Sequence, residues 1–386
     1  MWDLSSLSLP EVCLTKHVLC NVLDEISAQL FNEWMSYYGL SVDAGLQVAE
    51  RLELAPASEG WDAREKNRVV INEILNKEPR FAIVSGREDV SHTQQRLLEE
   101  ATCIGLKIDL FDLQDFSIDC DKLVGPVEPT DIAQYEAVFF ATPEPLAADS
   151  APIDRFVYQI WKLFEAAGAV VIPPSKADWQ SRDKPQAIAL LTSNGVTTPR
   201  TLTTISISSA LKFVQNCKLE AKSVVIKPIG KSGGWGVGRI PSDMPEDKVL
   251  DLLGKYKWWY GAGVLHLQEF IPNLGFDKRV LVLGDTIIGV EDRTAPPEGE
   301  SWIYNISKGG IGHRGTITPE QVDLTWQAVR SVGQFFAGVD LILGEDGRTY
   351  VLEVNSNPGF EGVEKFLGIN VGAALLRYCS LFGAPH

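Results

Sequence analysis

Two short apolar runs carry oxygen-bearing side chains into positions where a β-hairpin would bury them. No other feature constrains the chain as much. Val339-Asp340-Leu341-Ile342-Leu343 and Thr349-Tyr350-Val351-Leu352-Glu353-Val354-Asn355 flank Gly344-Glu345-Asp346-Gly347. Two β runs around such a turn predict a hairpin. Alternation then places Glu353 and Asn355 on one face and Leu352 and Val354 on the other. A regular turn sets Asp340 opposite Val351, one diagonal step from Glu353 on the same face. Two buried carboxylates without a counter-charge are costly. A hard divalent cation, magnesium or manganese, resolves the conflict with oxygen ligands from Asp340, Glu353 and Asn355. The alternative is a buried ion pair with an arginine such as Arg279.

The second signal is Val224-Val225-Ile226-Lys227-Pro228, followed by Gly230-Lys231-Ser232-Gly233-Gly234-Trp235-Gly236-Val237-Gly238. Glycines at this density let the backbone approach phosphate oxygens and aim N–H groups at them. Gly230-Lys231-Ser232 imitates a Walker A loop, but Val225 stands where that motif needs a glycine. Pro228 reads as strand-to-loop, not helix entry. The pattern predicts a flexible loop between two strands, folding over a triphosphate, with Lys227 aimed inward. A purely structural glycine-rich hairpin is the alternative.

Composition narrows the function classes. The 386 residues allow two or three domains, and 45% hydrophobic with 22% charged residues is an ordinary globular balance. The net charge of −16 disfavours a general nucleic-acid binder. No run reaches the roughly 18 consecutive apolar residues of a membrane helix, so no membrane partner is expected. The start has no basic stretch followed by an apolar one, and a secretory signal is not expected. Six cysteines form no CxxC pair. They read as free thiols in a reducing compartment, and a cytoplasmic location is expected.

Along the chain, residues 1–78 predict a helical N-terminal appendage, with Val22, Leu23, Ile26, Leu30, Phe31, Trp34 and Tyr38 at helical spacing. It would pack on the body or make the contact of a homo-oligomer. Residues 79–174 alternate strand and helix, which argues for a small parallel α/β domain. Ser85-Gly86-Arg87-Glu88-Asp89 after its first strand lacks the glycine pattern of a dinucleotide site. Residues 175–263 follow, with a helix from Lys184 to Asn194-Gly195 and β pattern dominating from Lys222 to about Thr318. Residues 264–386 close the chain with a long helix, the hairpin and a last helix. The fold class is therefore α/β, with an α+β C-terminal part. Glu269, Asp277, Arg279 and Arg293 sit at strand positions between the two signals. A carboxylate there suits ribose hydroxyls, and a cation suits phosphate charge. An exposed strand-end charge is the alternative for each.

Taken in order, these residues resemble the ATP-grasp superfamily, in particular its RimK-like glutamate-ligase branch. The resemblance spans about Ser181 to Leu376. It is densest in Ala337–Leu343, Val351–Lys365 and Leu367–Asn370, and Ser181-Arg182-Asp183-Lys184 also matches. It implies an ATP-grasp fold and the residue roles that follow. Lys184 and Lys227 would contact phosphates. Ser232, Gly233, Gly234 and Gly236 would belong to the lid. Gln268, Glu269, Phe270 and Asp277 would contact adenine and ribose. Asp340, Glu353 and Asn355 would bind magnesium or manganese, two ions in all. Arg293 and Asn305 would lie near an acyl phosphate, with Lys227 assisting. The implied activity is ATP-dependent amide formation between a small-molecule or peptide carboxylate and an amine such as an amino acid, releasing ADP and phosphate. Ile303 stands where the family carries a base, two before Asn305, and leaves the acceptor open. Two other readings share the same residues: a small-molecule kinase, and a non-catalytic ATP-binding interaction protein.

Overall fold

The computed structural model describes residues 80–86, 91–103, 105–119, 122–126, 135, 137–141, 151–229, 233–260, 263–296 and 302–382. The predicted N-terminal helical appendage, 1–78, and Ser232 lie outside these residues.

The first layer is parallel. Strands β1 (Arg80–Ser85), β2 (Lys107–Asp112), β5 (Ala137–Ala141) and β6 (Val171–Ile172) form a sheet in the order β2-β1-β5-β6. A small hairpin, β3 (Ser117–Asp119) and β4 (Lys122–Val124), lies outside it. Parallel strands are covered on both faces, so β1 reads as a continuous apolar run. Ala82 and Val84 pack with Trp161 and Phe164 of helix α2 (Ala151–Ala166). Phe81 and Ile83 face the other way, toward Leu97 of helix α1 (His92–Cys103).

The second layer is antiparallel. Helices α3 (Ser175–Arg182) and α4 (Lys184–Ser193) lead into β7 (Thr201–Thr204), α5 (Ile207–Leu219), β8 (Val224–Lys227), β9 (Gly238–Ile240), α6 (Glu246–Lys255) and β10 (Leu265–Glu269). The strand order is β7-β10-β8-β9. Val224, Ile226, Leu265 and Leu267 pack against Val214 of α5 and Val249 and Leu253 of α6. By alternation Val225, Lys227, His266 and Gln268 project from the opposite face. Helix α6 interrupts the stretch from Lys222 to about Thr318, over which the sequence predicts mainly β structure. Val249, Leu252, Leu253 and Tyr256 recur at helical spacing, and that period prevails over the β-rich surroundings.

The third layer holds β11 (Phe276–Leu283), β12 (Thr286–Thr294), β13 (Ile311–Arg314), α7 (Pro319–Val332), β14 (Phe336–Leu343), β15 (Thr349–Asn355), α8 (Glu361–Leu367) and α9 (Val371–Phe382). Its strand order is β13-β12-β11-β14-β15, antiparallel throughout. Helix α7 begins with a reciprocal capping box between Thr318 and Gln321, worth about 1 kcal/mol for the cap. Val280, Val282, Val339, Leu341 and Val351 bury one sheet face with Val329 and Val332 of α7 and Leu191 of α4. The other face is divided along its length. Leu281, Leu283 and Phe336 join Phe81, Phe139 and Leu376 in one core, which ties the first and third layers together. The remaining stretch of that face carries Asp277, Arg279, Glu291, Arg293, Asp340 and Glu353.

Candidate active site

The charged stretch is the floor of a pocket roofed by the polar face of the second sheet. Lys227, Gln268 and Glu269 of the second sheet line it, together with Lys184 at the start of α4 and Asp277, Asp340 and Glu353 of the third sheet. Phe270 and Ile271 form its back, and Gly233, Gly234, Ile303 and Asn305 close its mouth. Of the described residues singled out from the sequence, Gly236, Arg279, Arg293 and Asn355 are not part of this lining.

The register at the floor differs from the expected one. Leu343 pairs with Thr349, so the turn takes one more residue, Arg348, than a regular turn would. A bulge between Asp340 and Leu341 then adds Leu352 as an extra residue on β15. Asp340 therefore lies directly opposite Glu353, not opposite Val351. Leu352 turns to the pocket beside Glu353, while Val351 and Val354 stay in the core. The expectation that Leu352 shares a face with Val354 is thereby corrected.

Buried charge is balanced by arginine. Arg279 donates from Nε and Nη2 to the two oxygens of Asp340, both at 2.8 Å. Arg293 grips Asp277 at 2.7 and 2.6 Å and places Nη2 3.1 Å from Asp340 Oδ2. Burial opposes ionisation of Asp340, but Arg279 and Arg293 hold its carboxyl below the usual carboxylate range. Asp277 moves the other way, since burial raises it despite Arg293. The ion pair with Arg279 thus forms in this structure, at the residue expected to bind metal.

On the facing wall Lys227 Nζ donates to Gln268 Oε1 at 2.7 Å. Burial pulls the ammonium groups of Lys227 and Lys184 down, and the Glu353 carboxylate partly restores each. Lys184 opens α4, after Asp183 caps the helix by accepting from the Gln186 N–H. His266, opposite Lys227 in register, is buried and lowered to about 3, by desolvation first and by the two lysine charges next. Glu269 is held by Arg200 at 3.2 Å and Lys222 at 2.6 Å. Phe270 lies under the Arg239 guanidinium, 3.9 Å from the ring centre, and meets Trp302 edge-on.

The lid is stitched to the loop that carries Asn305. Ser307 Oγ donates to Gly233 O at 3.4 Å, and Lys308 Nζ lies 3.6 Å over the Trp235 ring. Gly234 has φ +72°, and a Cβ there would sit 3.1 Å from Asn305 Oδ1 and 3.2 Å from Ile303 Cγ2. Only glycine suits that backbone and that approach. Tyr256 donates to Gly236 O at 2.7 Å and anchors the other side of the lid.

Asp340, Glu353 and Asn355 fit a divalent cation by donor chemistry. Asn355 donates Nδ2 to Gly338 O at 3.2 Å, which leaves its Oδ1 for a cation. No cluster of three or more His, Cys, Asp or Glu side chains able to hold a metal occurs among the described residues. Two carboxylates and an amide suit magnesium, which commonly completes its shell with water and phosphate oxygens.

The sequence reading missed the apolar walls: Val225, Val237, Ile271, Ile342 and Leu352 line the pocket with Trp302 and Tyr304. Two of them were detectable, because Val225 shares a strand face with Lys227, and Ile342 with Asp340. Asn273, held by Tyr304 Oη at 2.9 Å, had no sequence signal.

Residues 181–379 match the RimK-like ATP-grasp domain. The chain belongs to the RimK-like ATP-grasp family. As a RimK-like protein it is an ATP-dependent ligase that joins a carboxylate to an amine, and ligases of this family use ATP with a divalent metal. It is 33% identical over 225 residues to the tetrahydromethanopterin:alpha-L-glutamate ligase of Methanocaldococcus jannaschii, covering 58% of this chain and 74% of that one. It is 29% identical over 227 residues to the ribosomal protein bS6–L-glutamate ligase of Salmonella paratyphi B, covering 58% and 71%. Its fold is similar to that of the ATP-grasp ligase PsnB complexed with a phosphomimetic variant of its minimal precursor, Mg and ADP. The TM-score is 0.57 at 21% identity, covering 78% of this chain and 98% of that one. Among the described residues no helix is long and apolar enough to cross a membrane.

Proposed function

We propose that this pocket binds ATP and couples its hydrolysis to amide formation through an acyl phosphate, releasing ADP and phosphate. The observation that carries the reading is one pocket that brings Lys184 and Lys227 together with the Asp340–Glu353 pair and with Gly233 and Gly234 of the glycine-rich loop. Adenine lies among Val225, Phe270, Ile342 and Leu352, with backbone near Phe270 reading its edge. Lys184, Lys227 and the lid N–H groups hold the triphosphate. Asp340, Glu353 and Asn355 hold two divalent ions, which would shield phosphate charge when bound.

The substrate carboxylate attacks the γ-phosphorus and ADP leaves. The amine then attacks the acyl carbon and phosphate leaves. No side-chain nucleophile is needed, since the work is positioning and charge neutralisation. Asn305 at the mouth orients the acyl group. Arg293 acts from behind Asp277 and Asp340, which it braces. The carboxylate is a peptide, a protein or a small acid, and the amine is an amino acid. Ile303 at the mouth stands where the family carries a base, and this favours an acceptor other than glutamate.

The test is product analysis with purified protein, ATP and Mg2+ against amino acids and short peptides. ADP and phosphate should form only when a carboxylate and an amine are both present. Positional isotope exchange in ATP with the carboxylate alone supports the acyl phosphate. AMP as product refutes the mechanism, and a phosphorylated alcohol makes the chain a kinase.

A further inference from the structure

Arg279 stands between two carboxylates. It is directly opposite Asp340 across β11 and β14, and directly opposite Glu291 across β11 and β12. Opposed residues in an antiparallel sheet project from the same face, with Cβ atoms about 5 Å apart. Arg279 Nε and Nη2 both donate to Asp340. Among the described residues no hydrogen bond reaches Glu291. It is 2% exposed, and its Oε1 is buried without a partner.

Room for that carboxyl group is reserved. A Cβ at Gly312 would sit 2.0 Å from Glu291 Oε1, and one at Gly362 would sit 2.5 Å from it. A buried acid oxygen without a hydrogen-bond partner calls for an explanation, and a second position of a neighbouring cation supplies one. Two other arginines lie near Glu291. Arg314, opposite Glu291 on β13, donates to Leu367 O at 2.7 Å. Arg293 is bound to Asp277 and Asp340. Arg293 would keep both of its bonds to Asp277 if a divalent cation claimed Asp340, whereas both bonds of Arg279 end on Asp340.

We propose that Glu291 is the second seat of Arg279: when a divalent cation takes Asp340, the Arg279 guanidinium leaves that carboxylate, turns across β11 and donates to Glu291. The inference rests on the reading of Asp340 as a metal ligand. Its logic is compensation. Metal entry would otherwise leave a partly buried guanidinium without its acceptor, which is unfavourable. The metal-free state already carries the unsatisfied Glu291, so one exchange removes both penalties. Glu291 is a positioning residue here, acting on the metal through Arg279.

Calorimetric titration of ADP with and without Mg2+ tests the exchange. Glu291→Gln should weaken Mg2+-dependent ADP binding at least about fivefold. ADP affinity without metal should stay unchanged, and the metal-free fold should be at least as stable. In an Arg279→Met background the same Gln substitution should have no further effect. A purely structural role for Glu291 would change stability and leave that coupling at zero. Asp340→Asn separates the two ideas. If it keeps full Mg2+ dependence, the metal reading falls. If it loses that dependence while Glu291→Gln binds Mg2+ and ADP like the parent, the exchange alone falls. The unaltered protein gives a second readout should a variant misfold. The Arg279 Nε–H resonance, assigned by its loss in Arg279→Lys, should shift on adding Mg2+ and ADP and remain protected from solvent. An unchanged resonance, or rapid exchange with water, overturns the proposal.

Discussion

Lys227 is hydrogen-bonded to Gln268 although the two are not register partners. Lys227 pairs with His266 and Gln268 with Val225. The ammonium group therefore leans along β10 toward the hinge at Glu269 and Phe270, and Gln268 holds it there before any phosphate arrives. Lys227→Met should lower turnover by at least about tenfold, because a cation against phosphate is removed. Gln268→Leu, which keeps the cation and loses its tether, should cost less. Steady-state rates with ATP decide this, and equal losses in both variants would contradict a tethering role.

The floor predicts a metal phenotype. Glu353→Gln together with Asn355→Ala removes a charge and an amide oxygen from β15 and leaves the Val351 and Val354 packing intact. Turnover should disappear and nucleotide binding should lose its dependence on divalent metal, while the melting temperature changes little. Unaltered metal dependence in the double variant would remove these residues from the metal site.

Gly234→Ala puts a methyl group 3.1 Å from Asn305 Oδ1 at φ +72°. The lid should then close poorly over the Asn305 loop. Lost lid closure should lower kcat more than nucleotide affinity, since the hinge and walls are untouched. A variant with parental kcat would show that the contact between Gly234 and Asn305 is incidental.

His266 supplies a pH signature. Its pKa is lowered to about 3 in the fold by burial and the two lysine charges, against about 6.5 unfolded. Between those values the unfolded chain binds the extra proton, so stability rises with pH across the window and falls on acidification. The slope from this residue is at most about 1.4 kcal/mol per pH unit. His266→Gln can keep a bond to Thr203, now 2.9 Å from Nδ1, and should flatten acid unfolding between about pH 6 and 4. An identical pH profile for both proteins would show that other groups set the acid sensitivity.

Strand alternation made much of the site legible in advance. Lys227, Asp340 and Glu353 each interrupt an apolar run, and their faces follow from a period of two. What alternation could not supply is a change of parity. Leu352 breaks the count by bulging, and nothing in its side chain marks it as the extra residue. The pairing of Arg293 with Asp277 was also beyond reach, because it depends on which strands become neighbours. Helix α6 was missed through a wrong period, not through a missing signal.

The second sheet keeps its core to itself. Among the described residues its packed side chains, from Leu202 to Leu267, come from that sheet, from α5, from α6 and from the residues that flank α6. The first and third layers, by contrast, share Phe81, Leu281 and Phe360 in one cluster. The consequence is mechanical. A displacement of β7–β10 as one unit would leave the core shared by the first and third layers untouched, and the proposed nucleotide pocket lies along the seam where the two meet.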